Sequence, residues 1–210
     1  MNKEANIGLS TIIIIIAVLL IATTAASVMT NTIKNTDTDT DNSINTMISE
    51  IVNEVTTYIQ IKDIIGRYTT IENQQRIRQI ALLIKPLISS DIDISGTTIK
   101  LCNGYQVMYL SYSGEAGYIG SNSLFNHPVY NLTPPNTFSI IIINDKDQSI
   151  LNYHIMNDQS DIAYMIITLP EDIAMRYDES LTITLIPPTG YSRTVILQAP
   201  LPIRPVVTLN

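Results

Sequence analysis

The sequence predicts an α+β protein in which a long hydrophobic N-terminal α-helix precedes an antiparallel, Ig-like β-sandwich. Residues 5–33 contain no charged side chain, and from Arg76 onward the pattern changes to short β-prone runs separated by turn residues. The aromatic residues follow the same division, because none precedes Tyr58. We therefore expect three parts in the 210-residue chain: a leader at residues 1–4, a helix at residues 5–66 and a β domain at residues 67–210.

The apolar segment at residues 5–33 is the first element. As a helix, its 29 residues would rise roughly 43 Å, more than the ~30 Å hydrocarbon core of a bilayer. A helix pairs all backbone polar groups within one segment, which an apolar setting requires. Small side chains at residues 22–27 would also allow neighbouring helices to approach closely. A secretory signal peptide cut near Ala26 and a single membrane anchor are the alternatives.

The next stretch predicts a weak point in the helix and then its continuation. Residues 36–41 alternate Thr and Asp, whose side chains compete for backbone hydrogen bonds and disfavour the middle of a helix. From Ile44 to Ile59, apolar residues recur at spacings of three and four, which indicates an amphipathic helix. Gly66 is the expected end of that helix.

The remainder of the chain predicts β-strands. The β-prone runs are residues 77–85, 97–101, 105–112, 138–144, 150–156, 162–169, 181–186, 192–198 and 205–209. Polar and apolar residues alternate at 106–111 and 180–185, as they do in half-buried strands. Asn103 and Gly104 predict a hairpin turn. Short strands at this spacing favour a two-sheet antiparallel sandwich, with residues 113–135 as an exposed loop.

Composition argues against several functions. The net charge of −7 disfavours a nucleic-acid partner. Cys102 is the single cysteine, so there is no internal disulfide framework, and its strand-like context indicates a small core residue. No pair of a nucleophile and a base stands out, so the sequence predicts neither an enzyme nor a cofactor.

Metal and modification sites are sparse. His127 and His154 lie in different segments without a paired ligand motif, so no zinc site is predicted. Asp145 and Asp147, with Asn144 beside them, could form part of a calcium site, but they lack the spacing of an EF-hand loop and a turn is favoured. Asn131 begins the one N-glycosylation sequon, within the expected loop.

The N-terminal plan resembles that of proteins with class III signal peptides, the type IV pilin class, and within it the archaellins, subunits of the archaeal swimming filament. The resemblance rests on residues 7–11, on residues 22–29, and on residues 76–85 followed by 92–95. It spans most of the chain and is weakest at residues 113–135. Leu9 stands where bacterial pilins carry a glutamate, counting from a mature N-terminus at Ala5, and archaellins also lack that glutamate.

The resemblance implies how the subunit is processed and assembled. A prepilin-type peptidase would remove the leader between Glu4 and Ala5, although Glu4 stands where archaellins usually have glycine. The helix would then rest in the membrane until an assembly platform and an ATPase add the subunit to an extracellular homopolymer. The residues expected to pack in the filament core are Ile12, Ile15, Ile16, Leu19, Leu20, Ala22, Ala26, Ile44, Ile48, Ile51 and Val55. An adhesive archaeal pilin and a monomeric, membrane-anchored surface binding domain are the alternative functions.

Overall fold

The computed structural model describes residues 59–121, 123–202 and 204–209. The leader, the apolar segment, the predicted break at residues 36–41 and every residue expected in the filament core lie outside these ranges. In chain order, the strands of the described part are β1 (Ile59–Ile71), β2 (Gln74–Pro86), β3 (Ile92–Asp93), β4 (Thr98–Cys102), β5 (Val107–Tyr118), β6 (Thr137–Asn144), β7 (Ile155–Met156), β8 (Ile162–Thr168), β9 (Ser180–Ile186), β10 (Arg193–Gln198) and β11 (Val206–Thr208). Its α-helices are α1 (Val129–Leu132) and α2 (Ser149–Tyr153), and a short 3-10 helix lies at Leu124–Asn126. Within these residues, no helix has the length and apolarity needed to cross a bilayer.

Nine of the strands form one continuous sheet in the order β10-β9-β4-β5-β6-β8-β2-β1-β11. Neighbouring strands are antiparallel except β5 and β6, which are parallel. β3 and β7 form a separate two-stranded sheet. The strands β6 and β8 are nearly continuous apolar runs because both of their faces are covered.

The sheet curls at β5, which belongs to both of its halves. The first part of β5 pairs with β4, and from Ser111 onward it pairs with β6. The register with β6 breaks between Tyr112 and Ala116, where Gly114 has a φ of +86°. A glycine tolerates this backbone conformation, and such irregularities let one strand pass between packed layers. Residues from both halves, including Leu82 and Ile183, consequently share one buried core.

The β-rich domain predicted from the sequence is confirmed, but the described residues do not show the two separate antiparallel sheets of an Ig-like sandwich. Nine of the described strands instead form one curled sheet with a parallel pair. A long crossover between β5 and β6 produces that pair, because parallel neighbours cannot be joined by a tight turn. The hairpin predicted at Asn103 and Gly104 is present between β4 and β5, and the Asn103 side chain accepts hydrogen bonds from the backbone N–H groups of Tyr105 and Gln106.

The prediction that the N-terminal helix continues to residue 66 is wrong for residues 59–66, which belong to β1. Alternate residues of this strand, such as Ile64 and Tyr68, face the core. β1 pairs along its length with β2 through a two-residue turn in which Glu72 and Asn73 have φ values of 50° and 62°. Two positive φ angles define the type I′ turn that matches the twist of a hairpin. The boundary of the β domain therefore lies no later than Ile59 rather than at residue 67.

Two further predictions need correction. Residues 113–135 are not one exposed loop, because β5 continues to Tyr118 and Phe125, Val129 and Tyr130 are buried. These three side chains pack in a second, smaller core against the outer face of β2, β6 and β8. The run at 150–156 is not one strand either: its first part lies in α2, where Ile150 is buried.

Candidate functional site

Both histidines of the β domain have structural hydrogen bonds. Nδ1 of His127 accepts from the N–H of Val129, so its Nε2 carries the proton and donates to the carbonyl oxygen of Tyr118, 3.0 Å away. Nδ1 of His154 lies 3.3 Å from the hydroxyl of Tyr112. Cys102 is half-buried at the end of β4. These contacts connect neighbouring segments, and each of the three side chains is accounted for by packing.

Three carboxylates meet where β6 ends and β8 begins. One oxygen from each of Asp145, Asp147 and Asp161 lies within 4.8 Å of the others. The antiparallel register explains this meeting, since Asn144 pairs with Ile162 and so places Asp145 beside Asp161. Asp145 is 7% exposed and Asp161 is 1% exposed. The cluster is therefore partly shielded from solvent, although Asp147 faces outward.

Backbone and side-chain donors position the cluster. Asp145 accepts from the N–H groups of Ser149, Ile150 and Leu151 at 3.0–3.3 Å, which ties the first turn of α2 to the cluster. Oδ2 of Asp161 accepts from the backbone N–H groups of Asn157 and Asp158 at 2.9 and 3.0 Å. Its Oδ1 is buried and has no hydrogen-bond partner among the described residues.

The pKa values of Asp147 and Asp161 are shifted in opposite directions. The amide of Asn157 and the N–H of Ser149 lower the pKa of Asp147 to about 2. Burial raises the pKa of Asp161, and the negative charges of Asp145 and Asp147 add to the increase. Oxygen ligands of this kind suit hard divalent cations such as Ca²⁺. A bound cation would supply the missing partner of Asp161 and offset the repulsion among the carboxylates.

Sequence reasoning identified only part of this cluster. It considered Asn144, Asp145 and Asp147 and favoured a turn, which residues around Asp147 do form. Asn144 instead donates its side-chain amide to the carbonyl oxygen of Ser160 at 2.5 Å. Asp161 was missed because it is distant in sequence, and only the pairing of β6 with β8 reveals that it belongs to the cluster.

The predicted glycosylation residue, Asn131, is exposed on α1. The hydroxyl of Thr133, the third residue of the sequon, donates to the carbonyl oxygen of Val129 at 2.7 Å and lies 2.7 Å from the hydroxyl of Ser139. These contacts fasten the end of α1 to β6. The position of α1, and with it the backbone of Asn131, is consequently fixed at the surface.

The described residues form a β domain, and residues 5–33, which precede it in the sequence, carry no charged side chain. The chain belongs to the archaeal-type flagellin family, whose family model matches residues 5–196. As a member of that family it is a structural subunit of the archaeal motility filament at the cell surface, where it assembles with copies of itself, and it is not an enzyme.

Individual relatives agree with this assignment. Flagellin B3 of Methanocaldococcus jannaschii is 30% identical over 155 residues, which cover 72% of this chain and 68% of that protein. Flagellin B3 of Methanococcus voltae is 25% identical over 180 residues, which cover 73% of this chain and 72% of that protein. The crystal structure of archaeal flagellin FlaB1 from M. jannaschii matches with a TM-score of 0.64 and 20% identity, covering 72% of this chain and 95% of that one. The structural match confirms the fold of the β domain.

Proposed function

We propose that the residues before Ile59 form the helical core of the filament and that the β domain coats its outside. The observation that carries this division is the contrast between the charge-free residues 5–33 and the β domain, whose first described strand begins at Ile59. The charge-free residues 5–33 must be kept from water, whereas the β domain has a buried core of its own. Bundling replaces lipid with neighbouring helices, so residues such as Ile15 and Leu19 would stay dry in the assembled filament.

Assembly would begin in the membrane. In this proposal a prepilin-type peptidase cuts between Glu4 and Ala5, and the apolar helix then rests in the bilayer as a reservoir. An assembly platform and an ATPase draw the subunit into the growing filament. A head-to-tail contact that does not close into a ring propagates as a fibre, which fits a helical homopolymer.

Mass spectrometry of the N-terminus in purified filaments tests the processing step. We expect a mature chain that begins at Ala5. A chain that begins near Ser27 would have lost the apolar segment to a signal peptidase, and the proposed core would be wrong.

Deletion of the gene separates the rival functions. We expect loss of swimming with surface attachment intact, whereas the reverse result would favour an adhesive pilin. A protein that remains monomeric in the membrane would support the anchored binding domain.

We also propose that Asp145, Asp147 and Asp161 bind a divalent cation that stabilises the β domain. The supporting observation is the buried Oδ1 of Asp161, which has no partner among the described residues. A cation there would link the end of β6, the start of β8 and the turn before α2. Titration of metal-free protein with Ca²⁺ or Mg²⁺ in a calorimeter should show saturable binding that Asp161→Asn weakens. Equal heats for both proteins would refute the site.

Asn131 is the proposed site of N-glycosylation. In this modification, the side-chain Nδ2 forms a bond to the anomeric carbon of a saccharide that is activated as a lipid-linked phosphate ester. The bond from that carbon to the phosphate oxygen breaks, the lipid phosphate leaves with the electron pair, and Nδ2 loses one proton. The exposure of Asn131 on α1 supports this proposal, because the domain can accommodate a bulky group there without repacking.

A further inference from the structure

A groove of about 360 Å³ lies next to Asn131. Its lining includes Arg67 and Thr69 from β1, Arg78 and Gln79 from β2, and Tyr130 and Asn131 from α1. A second depression of about 180 Å³ shares Arg78 and Tyr130 with the groove and extends past Thr133. The exposed Asn131 side chain thus lies at the edge of a space large enough for a sugar ring.

A β-bulge places an arginine in this groove. Arg67 pairs with Gln79 and the next residue of β1 pairs with Ile77, so Arg78 is the extra residue of β2. A bulge turns the side chain of the extra residue away from its regular direction. Arg78 therefore lines the same groove as its neighbour Gln79, whereas regular strand geometry would place the two on opposite faces.

Three buried polar atoms of the lining have no hydrogen-bond partner among the described residues. These atoms are Oγ1 of Thr69, Nε of Arg78 and the hydroxyl oxygen of Tyr130. Tyr130 is 8% exposed, and burial raises its pKa, so its hydroxyl stays protonated and can donate. Buried polar groups are rarely left unpaired, because each costs the free energy of its lost hydration. Three such atoms along one groove indicate that a polar ligand completes it.

The charge of the lining indicates the chemistry of that ligand. Among the described residues, Arg67 and Arg78 are the two cations of the lining and no acidic side chain contributes to it, although the chain as a whole has a net charge of −7. Arg67 donates to the carbonyl oxygen of Phe125 and to the side chain of Asn126. Nη1 of Arg78 is 3.8 Å from Glu171, whose side chain is 65% exposed, and such surface pairs are weak. Hydroxyl groups and an anionic group would therefore suit this groove.

We propose that the groove seats the first sugars of the glycan on Asn131 and binds an acidic group of that glycan. This inference rests on the proposed modification of Asn131. The attached sugar would bring hydroxyl oxygens to Thr69 and Tyr130 and a carboxylate to Arg78. Because the linkage to Asn131 holds the sugar beside the groove, its effective concentration there is high and a few hydrogen bonds suffice to order it. The glycan would then stabilise the packing of α1 against β1 and β2.

The experiment compares four full-length proteins assembled in an archaeal host that N-glycosylates its surface proteins. They are the wild type, Asn131→Gln, Arg78→Gln and the double variant. Arg193→Gln at the exposed edge strand β10, made in the wild type and in Asn131→Gln, adds two matched arginine controls. Mass spectrometry of the peptide that contains Asn131 reports the glycan, and electron microscopy reports filament assembly. Amide hydrogen exchange at residues 67–70 and 129–133 reports whether the glycan stabilises the contact of α1 with β1 and β2.

We expect Arg78→Gln to lower protection at these amides by about tenfold in the glycosylated protein, as loss of a charge-assisted hydrogen bond implies. In the Asn131→Gln background the same change should lower it less than twofold, and Arg193→Gln should have no effect in either. If Arg78→Gln has equal effects in both backgrounds while Asn131 is glycosylated in the wild type, the groove proposal alone is overturned. An unmodified Asn131 in the wild type would overturn both the modification and the groove.

One rival occupant is an acidic segment of a second copy of the chain. An effect of Arg78→Gln that is present only in assembled filaments, and that is independent of Asn131, would establish that occupant and overturn the proposal. Electron microscopy measures filament assembly separately. A loss of filaments therefore tests the assembly proposal and does not indicate an unoccupied groove.

Discussion

Gly66 lies in the middle of β1, and adding a methyl group there should destabilise the β domain. A Cβ atom built at this position would lie 2.8 Å from Cδ1 of Leu209 and 2.9 Å from Cγ2 of Ile77. Both neighbours are buried, with exposed fractions of 1% and 0%, so neither can move into solvent to make room. Overpacking of this kind costs about 1–3 kcal/mol, and we expect Gly66→Ala to lower the free energy of unfolding by that amount.

The sign of this effect tests whether Gly66 lies in a strand. If Gly66 lay in the interior of a continuing helix, Gly66→Ala would stabilise the protein by about 1 kcal/mol, because alanine is the better helix former. Urea denaturation of the full-length protein in detergent, followed by circular dichroism, measures the difference. Gly120→Ala is the matched control, since nothing lies within 4 Å of a Cβ atom at that exposed bend. A stabilised Gly66→Ala variant would refute the strand assignment.

Three other changes have defined outcomes. Ile15→Asp should abolish filaments in electron micrographs, because an unpaired charge in a dry helix bundle costs several kcal/mol; normal filaments would exclude Ile15 from the core. Burial and the charge of Glu115 raise the pKa of Tyr112 from 10.0 to about 12, so stability should fall as the pH rises from 10 toward 12 and Tyr112→Phe should reduce that fall in urea titrations; an unchanged pH profile would contradict the assignment. Ca²⁺ at a hundredfold excess over its dissociation constant should raise the free energy of unfolding by about 2.7 kcal/mol in the wild type, and Asp161→Asn should lose most of this increase; a full increase in the variant would refute the cation site.

The local sequence patterns were sufficient to predict most of the β domain. Alternation marked β9, and the Asn103–Gly104 turn located the hairpin between β4 and β5. Both features depend on neighbouring residues, so they are visible without knowledge of the fold. The N-terminal boundary of the β domain was not visible in this way, because Ile61, Ile64 and Ile65 continue a spacing of three and four that suits a helix. Pairing with β2, whose residues follow later in the chain, decides in favour of a strand.

The candidate sites show the same dependence on long-range contacts. Asp145 and Asp147 are recognisable in sequence as a turn, but Asp161 joins them only through the register of β6 and β8. The sequon at Asn131 is visible locally, whereas the groove beside it depends on a bulge at Arg78 and on the packing of α1. No short motif encodes either arrangement. The parallel pairing of β5 with β6, which prevents a regular sandwich, is equally a consequence of the whole fold.

Electron cryomicroscopy of filaments purified from cells tests the central claim most directly. We predict a helical array of this chain in which residues from Ala5 to the start of β1 form α-helices around the filament axis, and in which the β domain from Ile59 onward lies outside. A filament with the β domain at its axis, or one in which residues 5–33 are missing from the mature subunit, would contradict the account.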